Sequence, residues 1–91
     1  MTITVQLSSL LRDYCDGPSS FQLAASDVRG ALAECRRLHP ALYRSVCDET
    51  GAVRRHVNIF VNSSNTRFAQ GLDSALHPGD VVTIVQAVSG G

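Results

Sequence analysis

The chain has 91 residues, 44% of them hydrophobic and 18% charged, and its formal net charge is zero. That length holds one domain around one core, and that composition excludes a disordered chain. With no basic excess and no polybasic run, the sequence points to neither a nucleic-acid partner nor a membrane surface.

Residues 2–7 alternate strictly and predict a half-buried strand, with Ile3, Val5 and Leu7 on one face and Thr2, Thr4 and Gln6 on the other. A loop over 8–18 ends in Asp16-Gly17-Pro18, a turn sequence. A second strand over 19–25, through Phe21 and Leu23, closes a hairpin with the first. Ser26 or Asp27 can cap the helix that follows, because a short side-chain oxygen accepts from the free N–H groups of a first turn. Val28, Ala31, Leu32, Cys35 and Leu38 share that helix's apolar face. Gly30 costs about 1 kcal/mol against alanine inside a helix and reads as a point of close packing on the sheet. His39-Pro40 ends the helix, since the residue before proline avoids helical geometry.

Residues 41–54 carry weaker signals. Leu42, Tyr43 and Val46 suggest a short helical turn, and Asp48 to Gly51 a loop. Residues 56–62 give the clearest strand, with Val57, Ile59 and Val61 on one face and Asn58, Phe60 and Asn62 on the other. Ser63-Ser64-Asn65 turns the chain, residues 68–76 suggest a helical turn around Leu72 and Leu76, and Pro78-Gly79-Asp80 is a second turn. Val81 to Val85 form the last strand, with Val82 and Ile84 toward the core. Strand, strand, helix, strand, turn, strand is a two-layer α+β arrangement, one helix across one mixed sheet.

The cysteines, Cys15, Cys35 and Cys47, match no metal or redox spacing. Cys35 belongs to the apolar helix face; Cys15 and Cys47 fall in expected loops and read as inert thiols. Reduced thiols fit a cytoplasmic protein. No basic residue precedes Arg12, which is unlike a signal peptide, and no apolar run reaches transmembrane length. His39, His56 and His77 have no spacing suited to a metal, so no metal site is expected. Arg36-Arg37 and Arg54-Arg55-His56 read as solvated faces. All eight cationic residues are arginine, so the chain offers no side-chain amine for acylation.

Two surfaces stand out. The sequence divides into a folded domain over 1–87 and an extended, flexible tail over 88–91: Val88, Ser89, Gly90 and Gly91. Such a tail can reach roughly 13 Å and enter a channel too narrow for Cβ atoms. A carboxylate there resists nucleophiles until one oxygen becomes a leaving group, and an acyl-adenylate made with ATP is the chemical solution. The second surface is the outer sheet face, where Phe60, Val81 and Val85 form an apolar patch of the kind that marks a binding surface, unless residues 41–54 fold over it. No nucleophile, base and orienting group are brought together by the sequence, so an enzyme is not expected.

Four stretches carry a resemblance to a known family: I-T-V-Q-L at 3–7, V-N-I-F-V-N-S-S-N-T-R-F at 57–68, G-L-D-S-A-L-H-P-G-D-V-V-T-I-V at 71–85, and Gly90-Gly91. Together they resemble the ubiquitin-like β-grasp sulfur carriers, among them the thiamine-pathway carrier and the molybdopterin synthase small subunit. In length and in the V-N-I-F-V-N run the chain looks most like the actinobacterial cysteine-biosynthesis carriers. It departs from that group at Gln86, where proline is common, which implies a looser approach to the tail.

The resemblance implies a β-grasp fold and a protein co-substrate that binds no cofactor of its own. An ATP-dependent adenylyltransferase/sulfurtransferase would adenylate Gly91 and convert it to a thiocarboxylate, with Gly90 letting the tail thread. A sulfur-accepting enzyme, either cysteine-synthase-like or like the molybdopterin synthase large subunit, would then take the sulfur. Cysteine, molybdopterin, thiamine and a sulfur-containing secondary metabolite all stay open as products, and a zinc metallopeptidase is a further partner consistent with the cysteine route. The alternatives are a ubiquitin-like modifier joined to amines through Gly91, and a plain interaction module.

Overall fold

The computed structural model describes residues 2–12 and 19–86. Five strands form one mixed sheet: β1 (Ile3–Leu7), β2 (Ser20–Leu23), β3 (Val57–Val61), β4 (Ser64–Asn65) and β5 (Val81–Gln86), in the order β2-β1-β5-β3-β4. The helices are α1 (Ser9–Arg12), α2 (Val28–Leu38) and α3 (Pro40–Val46). Short 3₁₀ turns occupy Thr66–Phe68 and Gly71–Asp73. The central pair, β1 and β5, is parallel; every other pair is antiparallel.

Alternation fixes which face is buried. β5 places Val82 between Val5 and Val61, and Ile84 between Leu7 and Ile59. Val5, Val82 and Ile84 are at most 1% exposed, and Val61 at the margin is half-buried. Val28, Ala31, Leu32 and Cys35 of α2 belong to the same core. Asp27 caps α2 by accepting from the Gly30 N–H at 2.7 Å. Gly30 serves that cap rather than the sheet: a Cβ there would stand 3.0 Å from Asp27 Oδ1, with Ala25 Cβ the next neighbour.

Leu38 departs from its expected place: it is the last residue of α2 and is 42% exposed, although Ala31, only about 20° away round the helix, is 1% exposed, so its end position rather than its face sets it apart. Pro40 does end α2, and it also starts α3. At the first helical position proline gives up an N–H that has no intrahelical acceptor. α3 sends Leu42 and Val46 into the core, both at most 1% exposed.

Cys47 is likewise not a loop thiol. It caps α3, pairs with Val53 across an isolated bridge and is 2% exposed. Residues 41–54 therefore pack on the core side, so they do not cover the outer sheet face. The expected turn at 63–65 also shifts. Asn62 takes a left-handed φ of 55°, the turn falls at Asn62-Ser63, and Ser64–Asn65 pair with Val61 and Phe60 as β4.

Candidate functional site

Phe60, Val81 and Val85 all stand on the sheet face opposite the core, each half-buried among same-face neighbours. Phe60 on β3 is opposite Thr83 on β5 and Asn65 on β4. That register puts Val81 and Val85 on the two diagonals from Phe60, about 7–8 Å away by sheet geometry and within reach of an aromatic ring. Asn58 opposite Val85, and Thr4 opposite Val81, frame the apolar trio with short polar groups. The arrangement offers a small apolar contact with a hydrogen-bonding rim.

Local bonds hold β5 at both ends. At its start, Asp80 Oδ2 accepts from the His77 N–H at 2.9 Å and Asp80 Oδ1 from Asn62 Nδ2 at 3.2 Å. Asn62 Oδ1 in turn accepts from the Val81 N–H at 3.0 Å. These donors, the His77 amide first, hold the Asp80 carboxyl below its ordinary range. A lowered folded value contributes stability that is fully present above the unfolded value near 3.8 and is lost as pH falls through the folded one. Wild type is therefore expected to be more stable than Asp80→Asn above about pH 4, with the gap closing below it. Urea titrations of both proteins across acid pH check this; a gap that stays constant refutes it.

At the other end, the Gln86 N–H donates to Ser8 Oγ at 3.3 Å and the Ser8 N–H donates to Ile84 O at 3.1 Å. Gln86 also pairs with Val57. The non-proline residue at 86 thus gains an anchor that proline, lacking an N–H, could not make. Gln86, the last described residue, is therefore tied to Ser8 and Val57. Ser8 escaped sequence reasoning because its only signal is a hydroxyl just after a strand; its partner is 78 residues away.

The tail residues Val88, Ser89, Gly90 and Gly91, and Cys15, lie outside the described residues. Burial, the largest influence, pushes the Cys47 thiol up, which disfavours the thiolate that reactivity requires. Cys35 is 1% exposed within the core. No three His, Cys, Asp or Glu side chains stand together as a metal site among the described residues. No helix among them is long and apolar enough to cross a membrane.

Comparison with known proteins adds to this geometry. The ThiS family model matches residues 20–91. The sulfur carrier protein CysO of Mycobacterium tuberculosis is 31% identical over 93 aligned positions that cover all of both chains. A chain in the crystal structure of the Amycolatopsis orientalis BexX/CysO complex superposes with a TM-score of 0.88 at 28% identity, over 98% of this chain and 99% of that one. Small archaeal modifier protein 1 from Methanosarcina acetivorans superposes at 0.85 with 27% identity, over 99% of this chain and 96% of that one.

Proposed function

Because this chain belongs to the ThiS family, we propose that its working group is the carboxylate of Gly91, loaded with sulfur as a thiocarboxylate. The protein is a sulfur carrier of the ubiquitin-like β-grasp fold, a co-substrate of partner enzymes rather than an enzyme. The observation that carries the reading is that the family match runs through Gly90 and Gly91.

The chemistry balances with ATP and hydrosulfide. A carboxylate oxygen attacks the α-phosphorus of ATP and pyrophosphate leaves. Hydrosulfide then adds to the acyl carbon, and AMP departs with the former carboxylate oxygen. The products are the thiocarboxylate, AMP and one proton. ATP is the activating partner's substrate, and this chain contributes the carboxylate and the surface that delivers it.

Two classes of partner follow: an ATP-dependent activating enzyme, and a biosynthetic enzyme that accepts the sulfur. Full-length similarity to CysO favours a cysteine-synthase-like acceptor over a molybdopterin-synthase-like one. A zinc metallopeptidase is a further partner consistent with the cysteine route, and the cytoplasm supplies the ATP. Intact-protein mass spectrometry tests the reading. After incubation with ATP, an activating enzyme and sulfide, the chain should gain the mass of one oxygen-for-sulfur exchange, localised to its C-terminal peptide. Sulfur on a cysteine side chain, or no exchange, overturns it. The likeness to small archaeal modifier protein 1 supports a second reading, conjugation through Gly91; isopeptide adducts on other proteins in place of the exchange would favour it.

The apolar trio is the proposed dock for the activating enzyme. Phe60→Asp and Val85→Asp are each expected to weaken that binding about tenfold or more, as for a central interface residue. Both should still melt cooperatively, since neither side chain faces the core. Calorimetric titration with thermal denaturation checks both halves; unchanged affinity in both variants removes the face from the site.

A further inference from the structure

A cleft on the helical layer, away from the outer sheet face, gathers three arginines. Arg36 of α2, Arg44 of α3 and Arg54 line it together with Tyr43, Cys47 and the loop Asp48 to Gly51, around about 460 Å³. None of the three arginines makes an ion pair among the described residues. Arg29 and Arg37 differ: they pair with Asp73 at 3.1 Å and Glu34 at 3.0 Å.

Two of the three cleft guanidiniums are already positioned. The Arg36 guanidinium carbon sits 5.6 Å from the centre of the Tyr43 ring, a stacking distance at which the ring face attracts a cation. Arg54 donates through Nε to the Arg44 carbonyl oxygen at 3.0 Å, and its remaining N–H groups have no acceptor among the described residues. The facing carboxylates, Asp48 and Glu49, offset only part of this charge: Asp48 is near enough to Arg54 for the guanidinium to add to the Thr50 hydroxyl in lowering its pKa, and three cations still line the cleft against two anions. Asp48 Oδ1 is taken by its own loop, accepting from the Thr50 N–H, the Thr50 hydroxyl and the Ala52 N–H. Glu49 is exposed and makes no ion pair among the described residues.

We propose that this cleft is a second docking surface, one that receives an acidic segment of a partner protein. Guanidinium forks bind carboxylates in a bidentate way, and ordering the arginines beforehand lowers the entropic cost of binding. The cleft is open and long enough to span α2, α3 and the loop after α3, which suits several carboxylates on a peptide better than one small oxyanion. Its lining includes none of Phe60, Val81 and Val85, so a partner could hold the carrier here while the outer sheet face stays open to another.

The test uses the full chain and a short N-acetylated, C-amidated polyglutamate peptide, followed by ¹H–¹⁵N NMR. Saturable shifts confined to residues 36–54 are expected, weakening as salt rises because exposed charges are screened. Arg36→Gln combined with Arg44→Gln should weaken binding about fivefold or more, and Glu49→Arg should strengthen it by a similar factor. Glu49→Arg keeps the test decisive if the double variant melts early. No saturable shift, shifts centred on the sheet face, or equally tight saturation by inorganic phosphate would each overturn the proposal.

Discussion

Leu42→Ala is expected to destabilise the protein by about 2–5 kcal/mol. Leu42 is 0% exposed and belongs to the single core formed by α2, α3 and the inner sheet face. Truncating it removes buried methyl groups and leaves a cavity that α3 cannot easily fill. The helix is held at both ends: the Tyr43 N–H bonds to His39 O at 3.0 Å and the Arg54 N–H to Val46 O at 2.9 Å. A domain this size has only about 5–15 kcal/mol to lose, and each kcal/mol lowers the melting temperature by roughly 4–8 °C. The melting point should therefore fall by about 10 °C or more. Leu38→Ala is the control, with a much smaller loss expected because Leu38 is 42% exposed. Thermal denaturation of both variants checks the contrast; equal effects would mean that α3 is not part of the core.

That contrast also marks what the sequence could and could not reveal. The strands were legible because period-two alternation in β1, β3 and β5 leaves one choice of buried face, and the register then aligns Val5, Val82 and Val61 in one row. α3 was only half legible. Proline is a stop for one helix and a permitted first residue for the next, and only packing decides between them. β4 is two residues long, too short to show any period, and its turn depends on the left-handed conformation of Asn62. Cys47 looked like a loop residue because burial at a helix end comes from a bridge to Val53 that no local pattern encodes.

The candidate site divides the same way. Alternation alone assigns Phe60, Val81 and Val85 to the outer face. The Ser8 anchor on Gln86 and the cleft of Arg36, Arg44 and Arg54 are tertiary meetings of residues distant in sequence. Two of those arginines belong to charge runs that read as ordinary solvated faces.

The largest functional effect is expected from the smallest change: one residue added after Gly91 should abolish adenylation and sulfur loading while leaving the fold intact. An extra residue moves the carboxylate by about 3.3 Å. It also replaces the Gly91 carboxylate with an amide and can place a Cβ where the glycines have none. Nucleophilic attack on a phosphorus centre needs near-contact geometry, and a misplacement of 1 Å can cost about a hundredfold in rate. The described core ends at Gln86, tied to Ser8 and Val57, so its packing does not depend on the added residue. The extended variant should melt as wild type does and still bind the activating enzyme through Phe60, Val81 and Val85. It should fail in ATP–pyrophosphate exchange and gain no sulfur by mass. The kinetic contrast with Phe60→Asp separates delivery from docking. Removing a contact that is the same in ground and transition states raises KM with kcat kept, whereas misplacing the reacting group lowers kcat. An extended variant that exchanges and loads at the wild-type rate would show that the reactive group is not the carboxylate of Gly91.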